Sequence, residues 1–370
     1  MSRDYGRRVQ LADFVDLADR VGPILVFLVA ITVVAELADG IGLFAIIARW
    51  AAVVGRGSVL GLWLLVVLVA SVATAVLSLD TTAVLLTPVV LVLARRLGLG
   101  QELFAFTAVW LANTASLVLP VSNLTNLLAY ARLRPAGVAF TPLLWAPALA
   151  VWAVTVGLLG VVFRRRLRGR YEVPTPFPVE DRPLLVAAGV VCAGLGPAFV
   201  LGVDVTVAAV AGAVVLVVAC LVRRPRLLRW SLLPWPLVLG VSVLFVLVQG
   251  AHAYGLSTLV GELVGQGDGW LELLRLAGVS AVAANLLNNL PAYLAVEPTA
   301  LDSPVRLAAL LVGVNAGPLI TPWASLATLL WAGRCRAAGL QVSWLRFALL
   351  GALLVPLCLV AGTGALVLAG

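Results

Sequence analysis

The chain contains no lysine, a single histidine (His252) and a single methionine (Met1). Its net charge of +8 therefore rests on arginine alone, and charged residues make up only 11% of the sequence, too few to cover a water-facing globule. In a chain this apolar, an arginine surplus marks cytoplasmic loops and excludes a nucleic-acid surface as its main purpose. Cys192, Cys220, Cys335 and Cys358 are scattered with no CxxC spacing, which leaves them as small buried hydrophobes. No nucleophile–base pair, metal-ligand cluster or phosphate loop is present, so neither an enzyme, nor a cofactor, nor a bound metal is expected. The first twenty residues are rich in Arg and Asp and lack the apolar core of a cleavable signal peptide.

What the chain has in abundance is apolar sequence. Hydrophobic residues make up 62% of it, in runs that reach the ~20 residues a helix needs to cross a bilayer. These runs are continuous, unlike the short alternating segments of a β-barrel. The reading is an all-α polytopic protein of the cell (plasma) membrane, with about eight spans and two re-entrant hairpins.

Within the apolar sequence one sixteen-residue pattern occurs twice, at 113–128 and 315–330, without a gap and at an offset of 202. Asn113/Asn315, Leu117/Leu319, Pro120/Pro322, Leu124/Leu326, Leu127/Leu329 and Leu128/Leu330 are shared. A proline removes a backbone N–H and clashes with the preceding turn, so Pro120 and Pro322 break their helices, with Gly317 and Pro318 reinforcing the second break. Broken half-helices aim their dipoles at whatever lies between them. Asn113, Ser122, Asn123, Thr125, Asn126, Asn315, Thr321, Ser325 and Thr328 are placed to satisfy the freed groups or a ligand.

The surrounding order repeats too. A span at 22–50 carrying Glu36 and Asp39 is followed by apolar arms over 58–97 interrupted by Ser78-Leu-Asp-Thr-Thr-Ala83, each arm short for a span, which predicts a hairpin with Asp80, Thr81 and Thr82 at its tip. Then come the first broken helix, 102–131, and a span at 141–163. After the arginine-rich stretch Arg164–Arg170, spans follow at 183–202, 204–222 and 233–256. In the second half Gln249–Leu256, with His252, matches Glu36–Leu43. Ser280–Ala292, with Asn285, Asn288, Asn289 and Pro291, matches Ser71–Ala83, which aligns Asn289 with Asp80. The organisation expected is a polar segment at 1–21, a first repeat at 22–163, a cytoplasmic linker at 164–182 and a second repeat at 183–370. Nothing apolar precedes residue 22, so two scaffold helices of the first repeat are expected to be missing, supplied by a partner, or encoded ahead of a start other than the true one.

Arginine placement orients the chain. With Arg164–Arg170 inside, Arg223–Arg229, Arg334/Arg336 and Arg49, Arg56, Arg95 and Arg96 also fall inside, while Glu262 and Asp268 fall outside. The two hairpins then enter from opposite sides, as inverted repeats require, with Arg132 and Arg134 as outer-side exceptions. Asp80 is the first candidate for an ion or proton carrier, because a carboxylate at membrane depth costs roughly 2.5–3.5 kcal/mol and is functional by default. Glu36, Asp39 and His252 are weaker coupling candidates.

These residues carry a family resemblance. Gly317-Pro-Leu-Ile-Thr-Pro-Trp-Ala-Ser-Leu-Ala-Thr-Leu-Leu-Trp331 resembles the arsenite permease signature GPxITPxGSLATLLW, and Asn113–Asn126 resembles its partner DTASxxxxxSNLxN. Asp80–Pro88 and Asn288-Asn-Leu-Pro291 resemble the two hairpin tips, and the likeness extends over about 22–368. It departs at Leu79, Asn113 and Ala324, where the family favours Asn, Asp and Gly. The resemblance implies the ion transporter superfamily fold and efflux of arsenite or antimonite, with H+ as coupling ion and Na+ as the alternative. It also implies the lipid bilayer, a homodimer and an ATPase subunit as candidate partners. No Arg lies in the tips or breaks, which favours a small neutral solute over a carboxylate. A di- or tricarboxylate transporter, a Na+/H+ exchanger and a non-transporting paralogue remain as alternatives.

Overall fold

The computed structural model describes residues 11–173, 181–201, 203–236, 238–240, 242, 243, 247 and 256–369. His252 and most of the expected span at 233–256 lie outside the described residues. Among the described residues the chain is helical, apart from one isolated bridge between Ser58 and Arg170.

The first element differs from expectation. Helix α1 (Leu11–Ile41) begins within the stretch read as a polar segment. It does not run straight to Trp50: Gly42, at φ 95°, turns the chain by 60° into α2 (Leu43–Val54). That left-handed conformation is open to glycine and strained for other residues, so the expected single span is a bent pair.

Ser58, whose hydroxyl accepts from the Gly61 N–H, starts α3 (Val59–Leu77). With nineteen residues α3 is long enough to cross a membrane, longer than the short arm expected. The chain nevertheless doubles back at Ser78 (φ 109°) through α4 (Leu79–Thr81), a π-helical turn (Thr82–Leu86) and α5 (Thr87–Arg96). Helix α6 (Gln101–Thr114) packs against both arms: Trp63 Nε1 of α3 donates to Thr107 Oγ1, and Gln101 reaches the Leu91 carbonyl in the middle of α5.

After the first break come α7 (Leu124–Leu133), α8 (Phe140–Val162) and a single turn, α9 (Arg164–Leu167). The expected linker then pins to the hairpin foot: Tyr171 donates through its N–H to Gly57 and through its hydroxyl to Ala52. Asp181 caps α10 (Arg182–Val200), and its hydrogen bond from Arg223 holds its carboxyl below the usual range. Asp204 caps α11 (Val205–Arg223). The second half continues with α12 (Leu256–Val264), α13 (Trp270–Leu286), α14 (Asn289–Val296), α15 (Pro304–Ala316), α16 (Leu326–Ala337) and α17 (Trp344–Ala369).

Helix α8 packs along α17, α1 along α11 and α13 along α15. Phe106, Trp110, Phe163, Trp331, Trp344 and Phe347 knit α6, α8, α16 and α17 through ring contacts, with centroids 5.6–6.4 Å apart. Among the described residues five helices are long and apolar enough to cross a membrane, or six with α1 and α2 as one span. The expected count was higher because α6/α7 and α15/α16 cross only as broken pairs, each half of 10 to 14 residues being too short alone, and because most of the expected span at 233–256 lies outside the described residues.

Polar contacts gather at two ends. At one, Glu102 pairs with Arg166 and Arg346, and Arg95 donates to the Ala338 carbonyl. At the other, Arg132 pairs with Glu297, Arg134 with Asp204, and the buried Arg306 donates to the carbonyls of Gly265, Gly267 and Thr299. The feet of the first hairpin lie at the first end and those of the second at the other. The two arginines that broke the charge rule, Arg132 and Arg134, are each neutralised in place.

Candidate functional site

The two breaks fall at matching positions in the two halves of the chain. Helices α6 and α15 end at Thr114 and Ala316, and α7 and α16 begin at Leu124 and Leu326, each pair 202 positions apart as in the repeated pattern. The backbone leaves the helix six residues before Pro120 and Pro322, so these prolines sit inside the unwound stretch and do not mark its start. Gly317 and Pro318 follow directly on α15. A Cβ at Gly317 would stand 2.2 Å from the Gly313 carbonyl oxygen and 2.5 Å from the Ala281 Cβ, so only glycine lets the chain leave there.

Unwound backbone in a membrane must find partners within the protein. The first break finds them in its own half and across the repeat. Asn126 Nδ2 donates to the Ser116 and Leu119 carbonyls at 2.7 and 2.9 Å. Asn315 Oδ1 accepts from Ser116 Oγ at 2.8 Å and from Asn123 Nδ2 at 2.5 Å, while its Nδ2 donates to Asn126 Oδ1 at 3.0 Å. Ser122 donates to the Ala75 carbonyl of α3. The second break is held by Asn285 of α13, which donates to the Gly317 carbonyl and accepts from the Ile320 and Thr321 N–H groups. Thr321 Oγ1 and Trp323 Nε1 both donate to the Asn285 carbonyl. Most of the amides and hydroxyls singled out in the sequence therefore serve the backbone.

The hairpin tips turn on Ser78 and Asn288, two of the three non-glycine residues at positive φ among the described residues. Both cap the helix that follows. Counted from these caps, the residue corresponding to Asp80 is Leu290, and Asn289 corresponds to Leu79, a register shifted by one from the sequence match. Thr81 and Thr82 bond within their own hairpin, to Ser78 and Thr74.

Tips and breaks meet on one cavity of about 640 Å³. Asp80, Asn123, Asn288, Asn289, Pro291 and Ser325 line it, together with Leu124 and Leu326, the first residues of α7 and α16. Pro234, Pro236 and Gly240 close one side, a contribution that sequence reading missed because nothing chemical marks these residues. Both helix N-termini thus open on the cavity, a favourable site for negative charge or lone pairs. The Asn123 side chain caps α7 by accepting from the Thr125 N–H, whereas Ser325 makes no side-chain cap on α16. Asn288 Nδ2 is held by the Trp323 carbonyl, and the Asn289 N–H by the Ala324 carbonyl.

Several buried polar atoms have no partner among the described residues: Asn113 Oδ1, Thr125 Oγ1, Ser325 Oγ and Thr328 Oγ1 belong to the breaks. Three of them are repeat-mates of engaged groups, since Asn113 mirrors Asn315, Ser325 mirrors Asn123 and Thr328 mirrors Asn126. Glu36 and Asp39, near the bend of α1, do not line the cavity; the charged neighbours of Asp39 are Glu36 and Arg334. Glu297, buried and bonded by Arg132 and by Tyr293 Oη, escaped the sequence reading because a lone Glu before Pro298 looks like loop chemistry.

Two hairpin tips and two helix breaks enclosing one cavity inside a bundle of apolar spans define a multi-pass membrane transporter. Over residues 17–327 the chain matches the family described as citrate transporter, and it belongs to that family. It is 27% identical to the arsenical pump membrane protein of Yersinia enterocolitica, across 85% of this chain and 79% of that one. The arsenical pump membrane protein of Escherichia coli K12 is 26% identical with the same coverage. An uncharacterized transporter of Mycobacterium tuberculosis is 27% identical across 89% of this chain and 82% of its own length. In fold, the chain is similar to the Alcanivorax borkumensis YdaH transporter, whose topology is described as unusual: the TM-score is 0.60 at 19% identity, covering 96% of this chain and 87% of that one. These relatives are transporters, and this protein is a transporter and not an enzyme.

Proposed function

We propose that the cavity between tips and breaks is the substrate site, and that the protein exports arsenite, antimonite or a similar small oxygen-rich inorganic solute in exchange for protons by alternating access. One observation carries this reading: Asp80 is the only ionisable side chain among the described residues lining the cavity, and among those residues no hydrogen bond or ion pair engages it. An unpaired carboxylate facing an otherwise amide- and hydroxyl-lined cavity suits a group that takes and gives a proton. Ser325 Oγ and the uncapped N-terminus of α16 offer donors to solute hydroxyls, and Asn288 and Asn289 complete the wall. A neutral polyhydroxy solute needs no fixed cation there. In this reading 22–163 and 183–370 act as inverted repeats about the cavity.

A second reading, a di- or tricarboxylate substrate, is supported by the description of the matching family and by the two helix N-termini at the cavity. It requires a co-bound Na+ to offset Asp80.

Everted membrane vesicles separate the two. Proton-driven arsenite accumulation that disappears in Asp80→Asn is the expected result. Na+-dependent citrate uptake without arsenite movement would overturn the proposal in favour of the second reading, and no movement of either solute would overturn both.

A further inference from the structure

The arginine cluster after α8 is more than a topology signal. Val161, Val162, Phe163, Arg164, Arg165, Arg166 and Arg346 line a cavity of about 490 Å³, separate from the substrate cavity. Four arginines line it, and among the described residues the one carboxylate bonded to any of them is Glu102, which pairs with Arg166 at 2.8 Å and with Arg346. Arg166 and Arg346 also pack on the Phe163 ring, their Cζ atoms 5.5 and 5.6 Å from its centroid. Two cations are thereby held in place before any ligand arrives. Arg164 and Arg165 are exposed and make no hydrogen bond or ion pair among the described residues.

The other wall has the opposite character. Val161 is 64% exposed at the end of α8, a helix long and apolar enough to cross the membrane. The cavity therefore opens at once on arginine and on hydrocarbon-facing valine. A soluble anion would use only the first surface; an amphipathic anion uses both.

We propose that this cavity binds the phosphodiester headgroup of an anionic membrane phospholipid, with the start of an acyl chain against Val161 and Val162. Its size suits a glycerophosphate headgroup, and basic pockets at the cytoplasmic face are where such headgroups collect. Arg164 and Arg165 supply the uncompensated charge, and Arg166 and Arg346 supply oriented donors. Glu102 stands in the first turn of α6, the helix that leads to the first break. A headgroup drawing on Arg166 and Arg346 competes with Glu102 for them, which connects lipid occupancy to the element that carries the substrate site.

The test is native mass spectrometry of the full chain in neutral detergent, titrated with phosphatidylglycerol or phosphatidylcholine, for the wild type, R164Q/R165Q and the charge-preserving R164K/R165K. Removing two charges at about a factor of five each, the wild type should hold phosphatidylglycerol at concentrations roughly tenfold or more below those the Gln variant needs. R164K/R165K should fall between them, phosphatidylcholine should not discriminate, and added inorganic phosphate should not displace the lipid. Both substituted pairs are exposed, and an unchanged melting curve in lipid-free detergent confirms that each variant is folded. Equal phosphatidylglycerol binding by the wild type and R164Q/R165Q would overturn the proposal. Displacement by inorganic phosphate would overturn it as well, since it would mark a site for a soluble anion.

Discussion

Asn315 and Asn123 are joined across the two halves of the chain by a 2.5 Å hydrogen bond from Asn123 Nδ2 to Asn315 Oδ1. The same oxygen accepts from Ser116, and the same amide donates to Asn126 and to the Leu311 carbonyl, so one side chain of the second half holds the unwound backbone of the first. Its repeat-mate does far less. Asn113 Nδ2 reaches the Val109 carbonyl, and its Oδ1 has no partner among the described residues. Asn315→Ala leaves several buried polar groups unpaired at ~1–3 kcal/mol each, for a total on the order of 3 kcal/mol or more, whereas Asn113→Ala should cost about 1 kcal/mol. Thermal unfolding in detergent reads the difference. Equal losses for the two variants would show that the crossed network does not hold the break.

The asymmetry follows a difference in side chain. Asn123 bonds Asn315, whereas its repeat-mate is the shorter Ser325, which lines the cavity, and the bond corresponding to Asn123–Asn315 is missing: Ser325 Oγ and Asn113 Oδ1 both lack a partner among the described residues. Ser325→Asn should restore the missing bond, adding about 1 kcal/mol of stability while removing a donor from the substrate wall. The expected outcome is a higher melting temperature together with lower transport. A variant that melts earlier, or that transports at the wild-type rate, would separate Ser325 from the site.

The offset of 202 read from the sequence recurs in the helix ends Thr114/Ala316 and Leu124/Leu326, but those ends were not legible in place: the helices stop six residues before Pro120 and Pro322, which the sequence reading took as the points of breakage. The hairpin tips were legible in kind but not in register. Matching polar to polar aligned Asp80 with Asn289, whereas the backbone aligns the caps Ser78 and Asn288. The roles of the amides were the least legible. Asn126, Asn285 and Asn315 look like ligand contacts in a string of letters, and only the carbonyls they reach show them to be backbone supports. The bend after α1 was missed because Glu36, Asp39, Gly40 and Gly42 were all taken as part of one span at 22–50.

Arg132 and Glu297 give the last prediction. They look like one more ion pair beside Arg134 and Asp204, but burial separates the two cases. The Glu297 side chain is 5% exposed and that of Arg132 38%, against 40% for Asp204 and 64% for Arg134. An exposed pair is screened, so Arg134→Ala should change stability by less than ~0.5 kcal/mol. Arg132→Ala strips a bidentate partner from a buried carboxylate and should cost about 2–4 kcal/mol. Adding Glu297→Gln to Arg132→Ala should recover part of that loss, because most of the cost lies in a buried charge that has lost its Arg132 counter-charge and not in the bond. The pair also ties the far end of α7 to the return arm of the second hairpin, so the N-terminus of α7 and the tip at Asn288, both walls of the cavity, are held as one body. Arg132→Ala should therefore loosen the cavity and lower transport, with Arg134→Ala as the control that leaves it unchanged. Indistinguishable melting and transport for the two single variants would refute the link between this end of the molecule and the site.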